Sequence, residues 1–194
     1  MLEEGFELLK KYGIQVPEYW VDDIPMHIEY PVVLKVDLFH KTEENAVVLN
    51  IRNFTQLALN YFNLRERFPN KKIIIQKQIV GNYTELIIGI KRDPTFDYFV
   101  LIGIGGIYAE LIRDFVILIP EFSIEDMMRM LKNLKYHKIL FGYRNKPAIN
   151  FYVLYDTIKK LERILIEENL KEIEINPFMI NDKEGYAVDV RFIT

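Results

Sequence analysis

Cysteine is absent from the 194 residues. Disulfides, thiolate nucleophiles and Cys-ligated zinc or iron–sulfur centres are therefore excluded. Positive charge is not in excess either: 25 Lys and Arg stand against 28 Asp and Glu, a formal net charge of −3. Nucleic-acid-binding proteins usually present a basic face, so no such partner is expected. Long apolar runs are missing too. The longest, YFVLIGIGGIYA from Tyr98 to Ala109, is too short to span a bilayer and is interrupted by glycine. The opening MLEEGFELLKKYG carries charges throughout and lacks an apolar signal region. A soluble, cytoplasmic protein without a membrane partner is expected.

What is present is an ordinary globular composition, 50% hydrophobic and 27% charged. Leu2, Phe6, Leu9 and Tyr12 recur at helical spacing, with Gly13 as a natural stop. IQVPEYWV, PVVLKV and NAVVLNI read as strands, and NFTQLALNYFNLRERF as an amphipathic helix ending before Pro69. KKIIIQKQIV and YTELIIGIKR are expected to form a hairpin turned at Gly81-Asn82. YFVLIGIGG and FVILIP add strands. Ser123, with Asp126 three residues on, caps the helix SIEDMMRMLKNL, and FYVLYDTIKKLERILIEENL forms a longer helix. Strands in hairpins with interspersed helices predict an α+β fold of two small lobes with mainly antiparallel sheets. The internal boundary is expected near Pro69, giving an N-terminal lobe of residues 1–69 and a remainder of 70–194.

Near the end of the chain comes EIEINPFMINDKEGYAVDV. Residues two apart on a strand share a side. Glu172, Glu174 and Asn176 therefore line one face, Ile173 and Ile175 the other, and after the turn NDKEG the return strand brings Asp189 roughly opposite. Such a cluster of hard oxygen donors holds Mg²⁺ by one or two carboxylates, with nucleotide phosphates completing the shell. Alternation is also what any half-exposed strand shows, so the pattern alone favours a solvated sheet face.

Other candidates are weaker one by one. Lys35 interrupts the apolar PVVLKV; facing inward it needs an anion, while on an edge strand it could snorkel to water. GIGGIYAE is a glycine-rich turn whose amides could approach a phosphate, although it is neither GxGxxG nor a P-loop. His40, on a charged loop, is of the residue type that carries phosphoryl groups.

In order along the chain, LLKKYGIQVPEYWV, YPVVLKV, HKTE, VLNI, ELIIGIKRDPTF, GIGGIYAELIRD, GYRNKP, EIEINP and AVDVR resemble the ATP-grasp domain of ADP-forming acetyl-CoA (acyl-CoA) synthetases. In archaea that domain is a separate β subunit. The resemblance implies a ligase that interconverts acyl-CoA, phosphate and ADP with carboxylate, CoA and ATP. It also implies a hetero-oligomer with a CoA-binding α subunit that carries phosphohistidine. Residue by residue, it implies that Lys35 contacts nucleotide phosphates. Gln76, Lys77, Gln78 and Ile79 would form the strand beside adenine, with Glu85 near the nucleotide. Gly103, Gly105, Gly106 and Glu110 would make the glycine loop and its acid. Glu174, Asn176 and Asp189 would bind magnesium, and His40 would relay phosphate to ADP.

Departures from the family pattern cluster around the relay. Asn45 and Ala46 stand where the family has glycines, FVILIP lacks its cation, and Asn145 replaces a glycine after Arg144. They motivate a second expectation, a non-catalytic nucleotide-binding or regulatory subunit of the same lineage.

Overall fold

The structure is a computed structural model that describes residues 2–38, 46–106 and 109–194. It divides into two units: residues 1–4 with 17–80, and residues 5–16 with 81–194. The α+β class and the antiparallel pairing expected from the pattern are both observed.

The first unit holds β1 (Tyr19–Val21), β2 (Val32–Val36), β3 (Val47–Ile51), α2 (Phe54–Arg67) and β4 (Ile73–Lys77). Its sheet runs β1-β4-β2-β3, antiparallel throughout. Helix α2 begins where the Asn53 side chain accepts the Gln56 N–H at 2.9 Å, a standard N-cap. It buries Leu57, Tyr61 and Leu64 against Val32, Leu34, Val36, Ile73 and Ile75. Every residue of β2 is buried, and the strand has neighbours on both edges. The Asp37 carboxylate, just beyond β2, accepts the Leu2 N–H at the start of α1 (Leu2–Lys11) through both oxygens at 3.0 Å.

The second unit contains the remainder of α1, β5 (Thr84–Asp93), β6 (Asp97–Ile104), α3 (Ala109–Ile112), β7 (Phe115–Leu118), α4 (Ile124–Leu131), α5 (Lys138–Phe141), α6 (Phe151–Glu167), β8 (Glu172–Ile180), β9 (Gly185–Ala187) and β10 (Val190–Ile193). The sheet order is β10-β8-β5-β6-β7, with β9 also on β8. Ile88, Ile90, Val100, Ile102, Ile173 and Ile175 are buried on one face, where α6 packs through Leu154, Ile158 and Leu161. The Ser123–Asp126 capping box predicted for α4 is formed in both directions.

Two expectations are corrected. No hairpin joins residues 71–80 to 83–92, because β4 pairs with β1 and β2 while β5 pairs with β6 and β8. Ile73, Ile74, Ile75 and Gln76 of β4 are buried, and both edges of that strand are already taken, by β1 and by β2. For the same reason the first unit extends past Pro69 to Val80.

Candidate functional site

The predicted alternation holds along β8: Ile173 and Ile175 are buried, and Glu172, Glu174 and Asn176 occupy the opposite face. The three polar residues have different surroundings. Glu172 stands across from Lys91 on β5, and their side chains pair at 3.2 Å. Glu174 stands across from Gly89 on one side and Arg191 of β10 on the other. The β5 residue directly opposite it has no side chain. Burial pushes the Glu174 carboxyl above its ordinary value; Arg191 pulls it down, and Glu172 and Asp189 push it further up. An ionised carboxylate held this way gains from a cation.

The next residue on that face sits in a bulge. Leu86 pairs with Phe178 and Ile88 with Ile175, so Asn176 and Pro177 together oppose Ile87. Proline, having no N–H, is tolerated where the ladder is broken. On the other edge the Asn176 N–H donates to the Asp189 carbonyl at 3.2 Å, and the Val188 N–H to the Pro177 carbonyl at 3.1 Å. Asp189 thus falls in the gap between β9 and β10, opposite Asn176, as the sequence led one to expect. Among the described residues, no group of three or more Asp, Glu, His or Cys is placed to hold a metal alone. Two carboxylates and a carboxamide are hard donors too few to encage a cation. They fit Mg²⁺ that completes its shell with phosphate and water.

The glycine turn lies against this ribbon. The Gly105 N–H donates to the Glu85 carbonyl at 2.8 Å, and the Gly106 N–H to Asn176 Oδ1 at 3.0 Å. A Cβ on Gly105 would come within 2.3 Å of the Leu86 carbonyl carbon, and one on Gly106 within 1.7 Å of Glu85 Oε2. Gly106 also has φ +71°, where side chains are strained. Glu85, Gly105, Gly106 and Asn176 are therefore brought together. Gly103 is not part of the turn: it lies within β6, paired with Ile87 and Phe115. His40 and the Glu110 side chain lie outside the described residues.

In the first unit, Lys35 exposes only 4% of its surface and sits on β2, an inner strand, so the edge-strand alternative does not hold. Register places Val33 opposite Gln76 and Lys35 opposite Ile74, so Lys35 and the fully buried Gln76 share the face turned away from α2. Lys77 is ion-paired with Glu29. Gln78 and Asn50 form a reciprocal amide pair, with Asn50 N–H donating at 2.8 Å and Gln78 Nε2 donating back at 3.1 Å. Ile79 follows the end of β4 and is half-buried. Of the predicted 76–79 stretch, Gln76 alone turns its side chain to the Lys35 face with full burial.

Sequence reasoning missed Gly89 and Arg191. An isolated glycine inside the strand pattern ELIIGIKR was the available signal, since such a glycine marks a bulge or a close approach.

A family profile described as an ATP-grasp domain matches residues 2–194. The chain belongs to the ATP-grasp family. It is 32% identical to the β subunit of acetate–CoA ligase [ADP-forming] I of Pyrococcus furiosus, over 98% of this chain and 89% of that one. Against acetate–CoA ligase [ADP-forming] I of Archaeoglobus fulgidus, identity is 31% over 98% of this chain, which spans 30% of that longer polypeptide. Among solved structures, an acetyl-coenzyme A synthetase 1 of Ca. Korarchaeum cryptofilum, in complex with coenzyme A and Mg-AMPPCP, matches with a TM-score of 0.84 at 29% identity. That match covers 100% of this chain and 91% of the other. The ATP-grasp fold expected from the resemblance is thereby shown. Among the described residues no helix is long and apolar enough to cross a membrane.

Proposed function

We propose that this ATP-grasp chain is the nucleotide-binding β subunit of an ADP-forming acyl-CoA synthetase. It would act with a separate α subunit that binds CoA and carries phosphohistidine, and would release a carboxylate, CoA and ATP from acyl-CoA, phosphate and ADP. One observation carries the reading: Asn176 lies opposite Asp189 at the β8 bulge and two residues from Glu174 on the same face, and its side-chain oxygen accepts the Gly106 N–H of the glycine turn. Glu174 and Asp189 would hold Mg²⁺ through carboxylate oxygens, with Asn176 contributing its amide oxygen. When bound, the cation supplies neutralisation of charge on the nucleotide phosphates during phosphoryl transfer. Lys35 would offer a fixed ammonium to phosphate oxygens. Gln76 would lie beside the base, and His40 would take the phosphoryl group from the α subunit and pass it to ADP. In the Korarchaeum complex the phosphohistidine segment is described as pointing towards the nucleotide binding site, which supports the same division of labour.

A second reading, a nucleotide-binding subunit without turnover, is favoured by β7. Its outward residues Phe115 and Ile117 are apolar and about half exposed where the family carries a cation. Reconstitution with an α subunit from one of the similar two-subunit synthetases separates the two. Acyl-CoA-dependent ATP formation is the expected result. A tight complex that binds Mg·ADP without forming ATP would establish the second reading instead.

A further inference from the structure

Asn176 has a task that its place in a metal-binding set does not describe. Its side-chain oxygen, 70 residues away in sequence, accepts the N–H of Gly106. The preceding amide, Gly105 N–H, is taken by the Glu85 carbonyl of β5. Two successive N–H groups of the glycine turn are thus fixed by two different strands, Gly105 by β5 and Gly106 by β8. Close packing reinforces the arrangement. The backbone of Leu86 leaves no space for a Cβ at 105, while one at 106 would have to displace the Glu85 carboxylate and would be strained at φ +71°. At Gly105 the turn can approach β5 only as bare backbone, and the Gly106 N–H is held by the Asn176 oxygen.

We infer that Asn176 is a positioning residue that tethers the glycine turn to the metal-binding strand, and that it does so without a metal. A carboxamide oxygen has two acceptor lone pairs. One is used by Gly106, which leaves one for a cation. The same atom therefore links the turn to the cation, so that seating one orders the other. Asp189, opposite on the ribbon, accepts the Asn176 N–H at its backbone carbonyl, a bond that does not involve the Asn176 side-chain oxygen. The functional consequence rests on the nucleotide-binding reading above; the tether itself does not.

The test uses the full chain with EDTA present and compares Asn176→Ala, Asn176→Asp and Asp189→Ala. Amide hydrogen exchange at Gly106 is read residue by residue, with Ile173 and Ile175 as controls for an intact β8. Asn176→Ala should speed exchange at Gly106 by about tenfold, the loss of one hydrogen bond. Asn176→Asp, whose carboxylate still accepts, should restore protection, and Asp189→Ala should leave it unchanged. ADP titrated in EDTA should bind about tenfold more weakly to Asn176→Ala than to wild type. Unchanged Gly106 exchange in Asn176→Ala, or equal acceleration in Asp189→Ala, would overturn the tether. If the wild-type chain binds no ADP with or without Mg²⁺, the nucleotide reading fails while the exchange comparison still decides the tether. Should Asn176→Ala lose the control amides as well, Asn176→Asp decides: protection at Gly106 supports the tether, and its loss on an intact β8 refutes it.

Discussion

Glu174 lies directly across the β5–β8 pair from Gly89, whereas two residues earlier Glu172 meets Lys91 and closes an ion pair. One carboxylate is answered from β5 and the other is not. That difference separates a structural acid from a candidate ligand more sharply than the alternating pattern in which both occur.

The first prediction concerns pH. The folded-state pKa of Glu174 is raised, chiefly by burial, so the native protein holds that proton more tightly than the unfolded chain. The associated stability is fully present below the ordinary value of 4.5 and is lost as pH rises through the raised one. Ligand-free Glu174→Gln should therefore melt higher than wild type at neutral pH, and the difference should vanish in acid. Mg·ADP should stabilise wild type above that window and do little for the variant. Thermal melts from pH 4 to 8, with and without Mg·ADP, check both halves.

Gly89 can be tested separately. A Cβ there would meet nothing closer than Leu101 Cβ at 3.9 Å, so Gly89→Val should fold and hold its stability within about 1 kcal/mol, helped by its strand preference. It would, however, fill the room beside Glu174. Unimpaired Mg·ADP binding by a folded Gly89→Val would show that no ligand uses that space.

The opposite behaviour is expected at Gly105, where the clash is with backbone that cannot move aside. Gly105→Ala should lose about 1–3 kcal/mol of stability by overpacking. Denaturant unfolding compared with Gly89→Ala, which should be nearly neutral, isolates the steric cause.

Lys35 faces away from α2 in the middle of its sheet. Lys35→Met keeps the apolar stem and removes the ammonium. Weakening of ADP by roughly 10- to 100-fold is expected, the worth of a charged hydrogen bond to phosphate. Parallel titration with adenosine should show far less change, because adenosine carries no phosphate.

Much of this was legible in the sequence because it depends on neighbours along the chain. The Ile173–Ile175 alternation, the Ser123–Asp126 box and the halt at Gly13, with φ +71°, are each set by a few adjacent residues. The resemblance supplied the fold and the members of the proposed metal set. What stayed hidden depends on register between distant strands. Gly81-Asn82 carries a local turn signal, yet β1 and β2 take both edges of β4, so the hairpin does not form. Gly89 gains its meaning only once Glu174 lies opposite, and the Asn176–Gly106 bond follows from a bulge that the pattern marks only as an Asn-Pro pair.

The most direct measurement is calorimetric titration of ADP, with and without Mg²⁺, into wild type and Asp189→Ala. The account predicts Mg²⁺-dependent binding to wild type, accompanied by a rise in Tm of about 5–10 °C at a hundredfold excess of ligand over Kd. In Asp189→Ala the Mg²⁺-dependent part of the affinity should disappear while the fold persists. Equal Mg·ADP affinity in the two proteins would contradict a cation held on the β8 ribbon.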